Sequence, residues 1–165
     1  MKNLYLTIPQ VGRVEWIGLR PARRQPLQVV TEAEISETEG LVGDRFQGKP
    51  GSKRMVTLIQ SEHIDVMASI LGVKTIDPGL LRRNIVVSGI NLKALKSLDN
   101  TLTFRIGDAI LRATGNCAPC SRMEENLGTG GYSTMRGHGG ITATVVQGGR
   151  LKIGSDVQAK LPVDT

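Results

Sequence analysis

Aromatic side chains are scarce in this chain, in which they make up 3% of 165 residues. Proteins that bind single-stranded nucleic acid stack successive bases on aromatic rings. A basic RNA-binding barrel is therefore a poor interpretation, even though the net charge of +6 would suit a nucleic acid. The same positive charge favours a smaller anionic partner, such as a phosphorylated cofactor or a nucleotide.

Long apolar runs are also missing, because no stretch approaches the ~20 consecutive apolar residues that a membrane-spanning helix needs. No charged-then-apolar leader follows Met1, so we expect a cytoplasmic protein without a membrane partner. The sequence contains no internal repeat, low-complexity segment or linker, and its length is typical of one domain. We predict a single domain over residues 1–165.

Cysteine occurs twice, at Cys117 and Cys120. Stable disulfides are rare in the cytoplasm, so two cysteines with this spacing indicate a redox, metal-binding or nucleophilic role. A strand-like alternation precedes them, and a helical pattern begins at Pro119. Cys120 is therefore predicted in the first turn of a helix, where the helix dipole favours a thiolate. Arg112 and Arg122 would add positive charge, and Cys120 is the candidate reactive residue.

Strand-like alternation recurs along the whole chain between glycine, proline and charged turns. Strands are predicted over residues 11–19, 27–35, 55–60, 85–88, 101–106, 109–113, 141–147 and 150–153, with 157–161 pairing at an edge. An amphipathic helix is predicted to begin at Ser61, with that residue as its cap, and to end at Gly72. These elements predict a mainly β, β-rich α+β fold with a few short helices, in which the strands form one barrel-like sheet.

Arg82 and Asn84 lie two residues apart, just before the predicted strand at 85–88. If the extended conformation already applies there, both side chains share one face and Arg83 points to the other. An Arg–Asn pair suits a phosphate group or a hydrogen-bonding heterocycle. The alternative is that these residues form surface ion pairs and cap a turn.

Two segments are rich in glycine. Residues 47–54 form a basic loop, which we expect at the edge of an anionic ligand. Residues 128–140 contain six glycines and are predicted to form a long mobile loop. That loop would be a lid over Cys120, with Arg136 and His138 facing a substrate, or else a plain connector.

Five segments of the chain together resemble the MOSC domain, a family named for the C-terminal domain of molybdenum-cofactor sulfurases. The segments are GLVGDRF at 40–46, RMVTLI at 54–59, LRRNIVVSGINLKAL at 81–95, IGDAILRATGNCAPCSRME at 106–124 and GHGGITATVVQGGRLKIGSDV at 137–157. No single segment is diagnostic. Five segments in the family's order, including the Pro-Cys pair, are a specific signal that covers most of the chain.

The resemblance implies a barrel-like fold and a bound molybdenum-molybdopterin cofactor, whose metal Cys120 would ligate. It also implies that Arg82 and Asn84 contact the pterin. Other positive side chains in and beside these segments are expected near the cofactor's phosphate. The complete set of expected cofactor-binding residues is Arg45, Lys53, Arg54, Arg82, Asn84 and Arg122.

Enzymatic relatives reduce N-hydroxylated compounds such as amidoximes, which implies an oxidoreductase with an electron-transfer partner. The sulfurase branch handles sulfur, which implies the alternative of a carrier that holds a persulfide on Cys120 and meets a sulfur-donor protein. The chain lacks the additional β-rich domain of longer reductases and the pyridoxal-phosphate desulfurase module of the sulfurases. No pyridoxal-phosphate site of its own is therefore expected.

Three further interpretations of the cysteines remain open. Cys117 and Cys120 would form the active pair of a thiol–disulfide oxidoreductase, although no βαβ pattern surrounds them. A zinc site with His63 and His138 is less favoured, because neither histidine has a companion ligand nearby and His63 is typical of an exposed helical residue. Without the family resemblance, both cysteines would be interpreted as small, half-buried apolar residues.

Overall fold

The computed structural model describes residues 2–46 and 48–161, so Gln47 of the predicted basic loop lies outside the described residues. Its strands are β1 Val11–Leu19, β2 Gln28–Val30, β3 Glu32–Ser36, β4 Gly40–Leu41, β5 Val56–Gln60, β6 Ile85–Ser88, β7 Thr103–Ile106, β8 Ala109–Asn116, β9 Ile141–Gln147, β10 Gly149–Lys152 and β11 Asp156–Lys160. Its α-helices are α1 Lys2–Tyr5, α2 Ser61–Leu71, α3 Arg122–Leu127 and α4 Gly131–Met135, and short 3-10 helices span Pro78–Leu81 and Leu92–Leu95. None of the helices in these ranges is long and apolar enough to cross a bilayer.

Seven strands close into a barrel in the order β1, β6, β5, β9, β8, β7 and β11, and β11 pairs back with β1. Neighbouring strands are antiparallel except β5 and β6, which are parallel. β2 pairs with the end of β1, while β10, β3 and β4 form a separate three-stranded sheet. The predicted mainly β, barrel-like fold is confirmed, whereas the expectation that the strands form one sheet is wrong, because three of them form a second sheet.

Alternating side chains fill the inside of the barrel. On β8, Leu111 and Ala113 are buried, whereas Arg112 and Thr114 between them are partly exposed. This period of two is the one that a strand with one buried face requires. Large buried side chains of the barrel core are Val14, Ile17, Leu58, Ile85, Phe104, Leu111, Ile141 and Val157.

A second apolar cluster covers the outside of β5 and β6. Parallel strands need a crossover connection, and here that connection contains α2. Ile59 of β5 and Val86 of β6 pack against α2 in this cluster, which Met123 of α3 and Met135 of α4 also join. The two helices that follow the cysteines are thereby anchored to the barrel wall.

Several elements differ from the predicted ones. The strand predicted over 27–35 is interrupted at Thr31, because β2 pairs with the barrel and β3 belongs to the separate sheet. The strand predicted at 157–161 forms as β11, but its predicted position at an edge is wrong, since β11 pairs on both sides and closes the barrel. Helix α2 ends at the left-handed Gly72 as predicted. The predicted cap is wrong: Ser61 is the first helical residue, and Gln60 occupies the cap position without a side-chain hydrogen bond.

The region after β8 differs from the prediction in two respects. The helix predicted from Pro119 begins at Arg122, after a turn in which the N–H of Met123 donates to the carbonyl of Cys120 over 2.9 Å. The long loop predicted over 128–140 contains α4, whose residues Gly131 and Met135 are buried. This region is therefore more regular than its six glycines suggest.

Candidate functional site

Residues 117–121, which follow β8, form a short segment that we call the cysteine loop. The backbone N–H of Cys117 donates to the carbonyl of Gly140 over 2.9 Å, which ties the loop to the start of β9. Cys117 is buried, at 2% exposure, whereas Cys120 is exposed, and both thiols are free. Cys120 lies two residues before α3, so its predicted position in the first turn of a helix is wrong.

A buried arginine, Arg83, holds the cysteine loop in place. Its guanidinium donates to the carbonyl oxygens of Cys117 at 3.0 Å, Ala118 at 3.3 Å and Gly139 at 2.8 Å. A further hydrogen bond runs to the carbonyl of Leu81 at 3.2 Å. The side chain is 5% exposed, and its burial lowers the pKa of Arg83 because it disfavours the charged form. Arg83 thus joins three segments of the chain around the cysteines.

Cys120 lies on the wall of a cavity of about 300 Å³ that arginine side chains dominate. The arginines lining it are Arg20, Arg23, Arg24, Arg45, Arg54, Arg82, Arg83 and Arg122. A second cavity of about 660 Å³ shares four of these arginines. The shared residues are Arg20, Arg23, Arg45 and Arg54, and the second cavity adds Pro21, Ala22, Phe46 and Thr57. We call the two adjoining cavities the arginine cleft.

Few carboxylates balance the positive charge of the cleft. Arg20 forms an ion pair with Asp44 at 2.9 Å, and Arg24 lies 3.6 Å from Glu125. No other ion pair occurs within the ranges that the structure describes. Burial, together with repulsion from neighbouring arginines, lowers the pKa of Arg82. An anion in the cleft would relieve this repulsion, since its charge is opposite to that of every guanidinium.

Asp44 orders one wall of the cleft. Its Oδ1 accepts hydrogen bonds from the backbone N–H of Arg20 at 2.7 Å and from the amide of Asn84 at 3.1 Å, while its Oδ2 accepts from Arg20 Nη2 at 2.9 Å. Asn84 Oδ1 in turn accepts from the backbone N–H of Thr57 at 3.1 Å. Burial alone would raise the pKa of Asp44, but the hydrogen bonds and charge of Arg20, with the Asn84 amide, hold that pKa below its ordinary value.

A family model described as the MOSC domain matches residues 43–158, which include the cysteine loop and much of the arginine cleft. The chain belongs to the MOSC domain family. The resemblance stated from the five sequence segments is therefore confirmed.

Solved structures with a similar fold include the YuaD protein from Bacillus subtilis, with a TM-score of 0.75 and 18% identity over 95% of this chain and 100% of that chain. YiiM from Geobacillus stearothermophilus has a TM-score of 0.71 and 14% identity, covering 90% of this chain and 75% of that chain. YiiM from Escherichia coli has a TM-score of 0.67 and 18% identity, covering 93% of this chain and 72% of that chain. At these identities the likeness shows the fold alone. A search of curated proteins found no match.

The residues predicted from the MOSC segments supply part of the arginine cleft. Those that line it are Arg45, Arg54, Arg82, Cys120 and Arg122. Lys53 is exposed and outside the lining of both cavities, and its backbone carbonyl accepts a hydrogen bond from the hydroxyl of Thr114. The expected contact between Lys53 and a cofactor therefore finds no support in the geometry.

The predicted shared face of Arg82 and Asn84 is wrong. Arg82 has a φ of 59° at the end of a 3-10 helix, so the extended conformation does not yet apply there. Arg82 nevertheless lines the cleft and donates to the backbone carbonyls of Ala22 and Gln25. Asn84 is 0% exposed, and its amide is occupied by Asp44. Asn84 therefore has no exposed surface with which to contact a cofactor. We assign it instead to the support of the cleft wall that Asp44 orders.

Four arginines of the arginine cleft were not among the residues predicted from the sequence. Arg20, Arg23 and Arg24 lie in the turn between β1 and β2, where three arginines within five residues were the available signal. The sequence pattern predicts Arg83 on the face opposite the ligand. Its carbonyl partners Cys117 and Gly139 are 34 and 56 residues away in sequence, so no local pattern reveals them.

Residues of the segment 128–140 line a cavity together with residues 116–119, and none of them lines the cavity of Cys120. The carbonyl of Gly140 binds the N–H of Cys117, as described above. Arg136 lines a separate cavity of about 260 Å³ that Cys117 also lines. The structure therefore does not support the predicted lid, while the predicted mobility of the segment stays a prediction.

His63 and His138, 75 residues apart in sequence, meet with their ring centroids 5.5 Å apart. Burial, followed by repulsion from His138 and Lys93, lowers the pKa of His63. His63 lies on helix α2 as expected, and it is half-buried rather than fully exposed. Within residues 2–46 and 48–161, no group of three or more His, Cys, Asp or Glu side chains is arranged to hold a metal ion.

Proposed function

We propose that this MOSC protein binds a molybdenum-pterin cofactor in the arginine cleft, with Cys120 as the protein ligand of the metal, and reduces N-hydroxylated compounds. The observation that carries the proposal is an exposed cysteine on the wall of a cavity lined by eight arginines. Membership of the MOSC family supports the class of cofactor.

The chemistry of the side chains fits such a cofactor. A deprotonated thiol is a soft ligand of the kind expected for this metal. Guanidinium groups suit the phosphate of the pterin, because each donates parallel hydrogen bonds to an oxyanion. Arg45, Arg82 and Arg122 line the same cavity as Cys120, so one ligand of moderate size would reach both the thiol and the positive charges.

The surrounding residues would fix the positions of these groups. Arg83 holds the carbonyls of Cys117 and Ala118 and so restrains the loop that carries Cys120. Asp44 orients Arg20 toward the cleft. The bound cofactor would supply the redox chemistry, while the protein supplies orientation and charge. Reduction of an N–O bond consumes an electron pair and protons and releases water, so an electron-transfer protein is part of the proposal.

An activity assay tests this function. Protein from a host that makes the cofactor would receive a chemical reductant and an amidoxime, and formation of the amidine would be followed. We expect Cys120→Ser to abolish reduction, because the metal loses its protein ligand. Cys117→Ser should retain a substantial fraction, since Cys117 does not line the arginine cleft. Equal loss in both variants, with a Cys117–Cys120 disulfide that forms and reopens, would support the dithiol oxidoreductase instead.

Sulfur carriage is a second candidate, which the exposure of Cys120 also favours. The Cys120 thiolate would attack the outer sulfur of a persulfide on a donor protein. A new S–S bond forms at Cys120 while the donor's S–S bond breaks, and the donor leaves as a thiolate. Mass spectrometry would detect one added sulfur atom on Cys120. A carrier would show this adduct without amidoxime turnover, and a reductase would show turnover without it.

A further inference from the structure

The arginine cleft carries more positive charge than one phosphate group balances. Eight arginines line the cavity that contains Cys120. Among the described residues, Asp44 and Glu125 are the carboxylates that form ion pairs with them, which leaves six positive charges without a carboxylate partner. A phosphate monoester contributes about −1.5 to −2 at neutral pH. A ligand with more than one phosphate group therefore fits the cleft better.

The positions of the arginines also favour a ligand with more than one phosphate group. Four of the arginines line both cavities, so they lie where the two cavities adjoin: Arg20, Arg23, Arg45 and Arg54. A single terminal phosphate would need donors at one end of its cavity. Donors at a junction suit a bridging group with an organic portion on each side, and a pyrophosphate is such a group.

The second cavity also offers an aromatic surface. Phe46 lines this cavity and also packs against the barrel core, so its ring is supported from behind. The backbone N–H of Phe46 donates to Asp44 Oδ2 at 3.3 Å, and a Cβ at Gly48 would lie 2.3 Å from the ring. Pro21 and Ala22 add apolar surface. A planar base can stack on a ring held in this way.

We propose that the arginine cleft binds a nucleoside diphosphate unit, with the pyrophosphate on the four shared arginines and the base against Phe46. The proposal rests on the proposed function, because the nucleotide would be joined through its pyrophosphate to the pterin in the cavity of Cys120. It specifies the form of the cofactor: one extended by a nucleotide. The same cleft binds free nucleoside diphosphates when no pterin is present.

Calorimetric titration of the full chain, produced in a host unable to make the cofactor, tests the proposal. The probes are ADP, GDP and CDP, the corresponding monophosphates, and inorganic pyrophosphate, all at one ionic strength. We expect the best diphosphate to bind about tenfold or more tighter than its monophosphate. Phe46→Leu keeps the apolar volume and removes the ring, so it should weaken nucleotide binding by about tenfold and leave pyrophosphate binding unchanged.

Arg23→Ala should weaken both nucleotides and pyrophosphate, whereas Arg105→Ala, which removes an exposed charge of β7 outside the cleft, should weaken neither. Equal affinities for mono- and diphosphates would overturn the proposal, as would a Phe46→Leu variant that binds nucleotides like the wild type. The outcome is separate from that of the proposed function. If the chain binds nucleotides but never acquires molybdenum, the nucleotide site is supported and the proposed reductase is wrong. If it acquires molybdenum and pterin but has no affinity for nucleotides, the reductase is supported and the nucleotide site is wrong.

Discussion

At the scale of single residues, Arg83 donates hydrogen bonds to four carbonyls, and two of them, those of Cys117 and Ala118, belong to the cysteine loop. Replacement by Met keeps much of the volume and removes every donor, so buried carbonyls lose their partners. An unsatisfied buried acceptor costs ~1–3 kcal/mol. We expect Arg83→Met to lower the free energy of unfolding by about 2–4 kcal/mol, measured by urea denaturation.

The matched control for this prediction is Arg105→Met. Arg105 is an exposed arginine of β7 that contacts the side chain of Gln158 at 3.5 Å. Surface changes of this kind alter stability by less than about 0.5 kcal/mol. Equal free energies of unfolding for the two variants would show that Arg83 does not hold the loop.

Asp44 gives a prediction about acid stability. Its pKa is lower in the folded protein than in the unfolded chain, where an aspartate has a pKa of about 3.9. The stabilisation by the ionised carboxylate is therefore complete above that pH and is lost as the pH falls through the folded-state pKa. Between about pH 5 and pH 2, the wild type should lose more unfolding free energy than Asp44→Asn. If the unfolding free energies of the two proteins fell in parallel over this pH range, the ionised Asp44 would not contribute to stability.

The residues of the site were partly predictable from the sequence. Cys120, Arg82 and Arg122 belong to motifs, and the structure brings them to one cavity. The family motif assigns Asn84 to the ligand, and local spacing cannot show that its amide donates to Asp44, 40 residues away. Arg83 was missed for the same physical reason, since its partners approach it only when the chain folds.

At the scale of elements, period-two alternation predicted β1 and the hairpin of β7 and β8 well, because buried and more exposed residues alternate along β7, β8 and the first half of β1. The break at Thr31 was not predictable, since both β2 and β3 continue the same local pattern while pairing in different sheets. The helical pattern predicts the start of α3 three residues too early, at Pro119 instead of Arg122. Pro119 is compatible with a first helical position, but the turn at Cys120 occupies that part of the chain.

The contact between α2 and the segment before β9 gives a prediction at this scale. Burial and the nearby His138 and Lys93 lower the folded-state pKa of His63, while Glu62 opposes the shift. The neutral form is therefore favoured on folding, and its stabilisation is present above the unfolded pKa of about 6.5 and is lost as the pH falls below it. His63→Gln should reduce the fall in thermal melting temperature between about pH 7 and pH 5. An unchanged fall would show that the contact does not depend on protonation.

At the scale of the whole molecule, composition and alternation predicted the fold class but not the closure of the barrel. Closure depends on the pairing of β1 with β11, whose partners Val11 and Gln158 stand at opposite ends of the chain. The net charge of +6 likewise predicted an anionic partner without showing where the charge is concentrated. Folding gathers eight arginines from separate segments around one exposed cysteine.

The decisive measurement is the molybdenum and pterin content of the full chain purified from a host that makes the cofactor. We predict near-stoichiometric metal and pterin in the wild type and in Cys117→Ser, and loss of the metal in Cys120→Ser. Circular dichroism of all three proteins would show that the exposed Cys120 is not needed for folding. Wild-type protein without molybdenum, or a Cys120→Ser variant that retains it like the wild type, would contradict the assignment of Cys120 as the metal ligand.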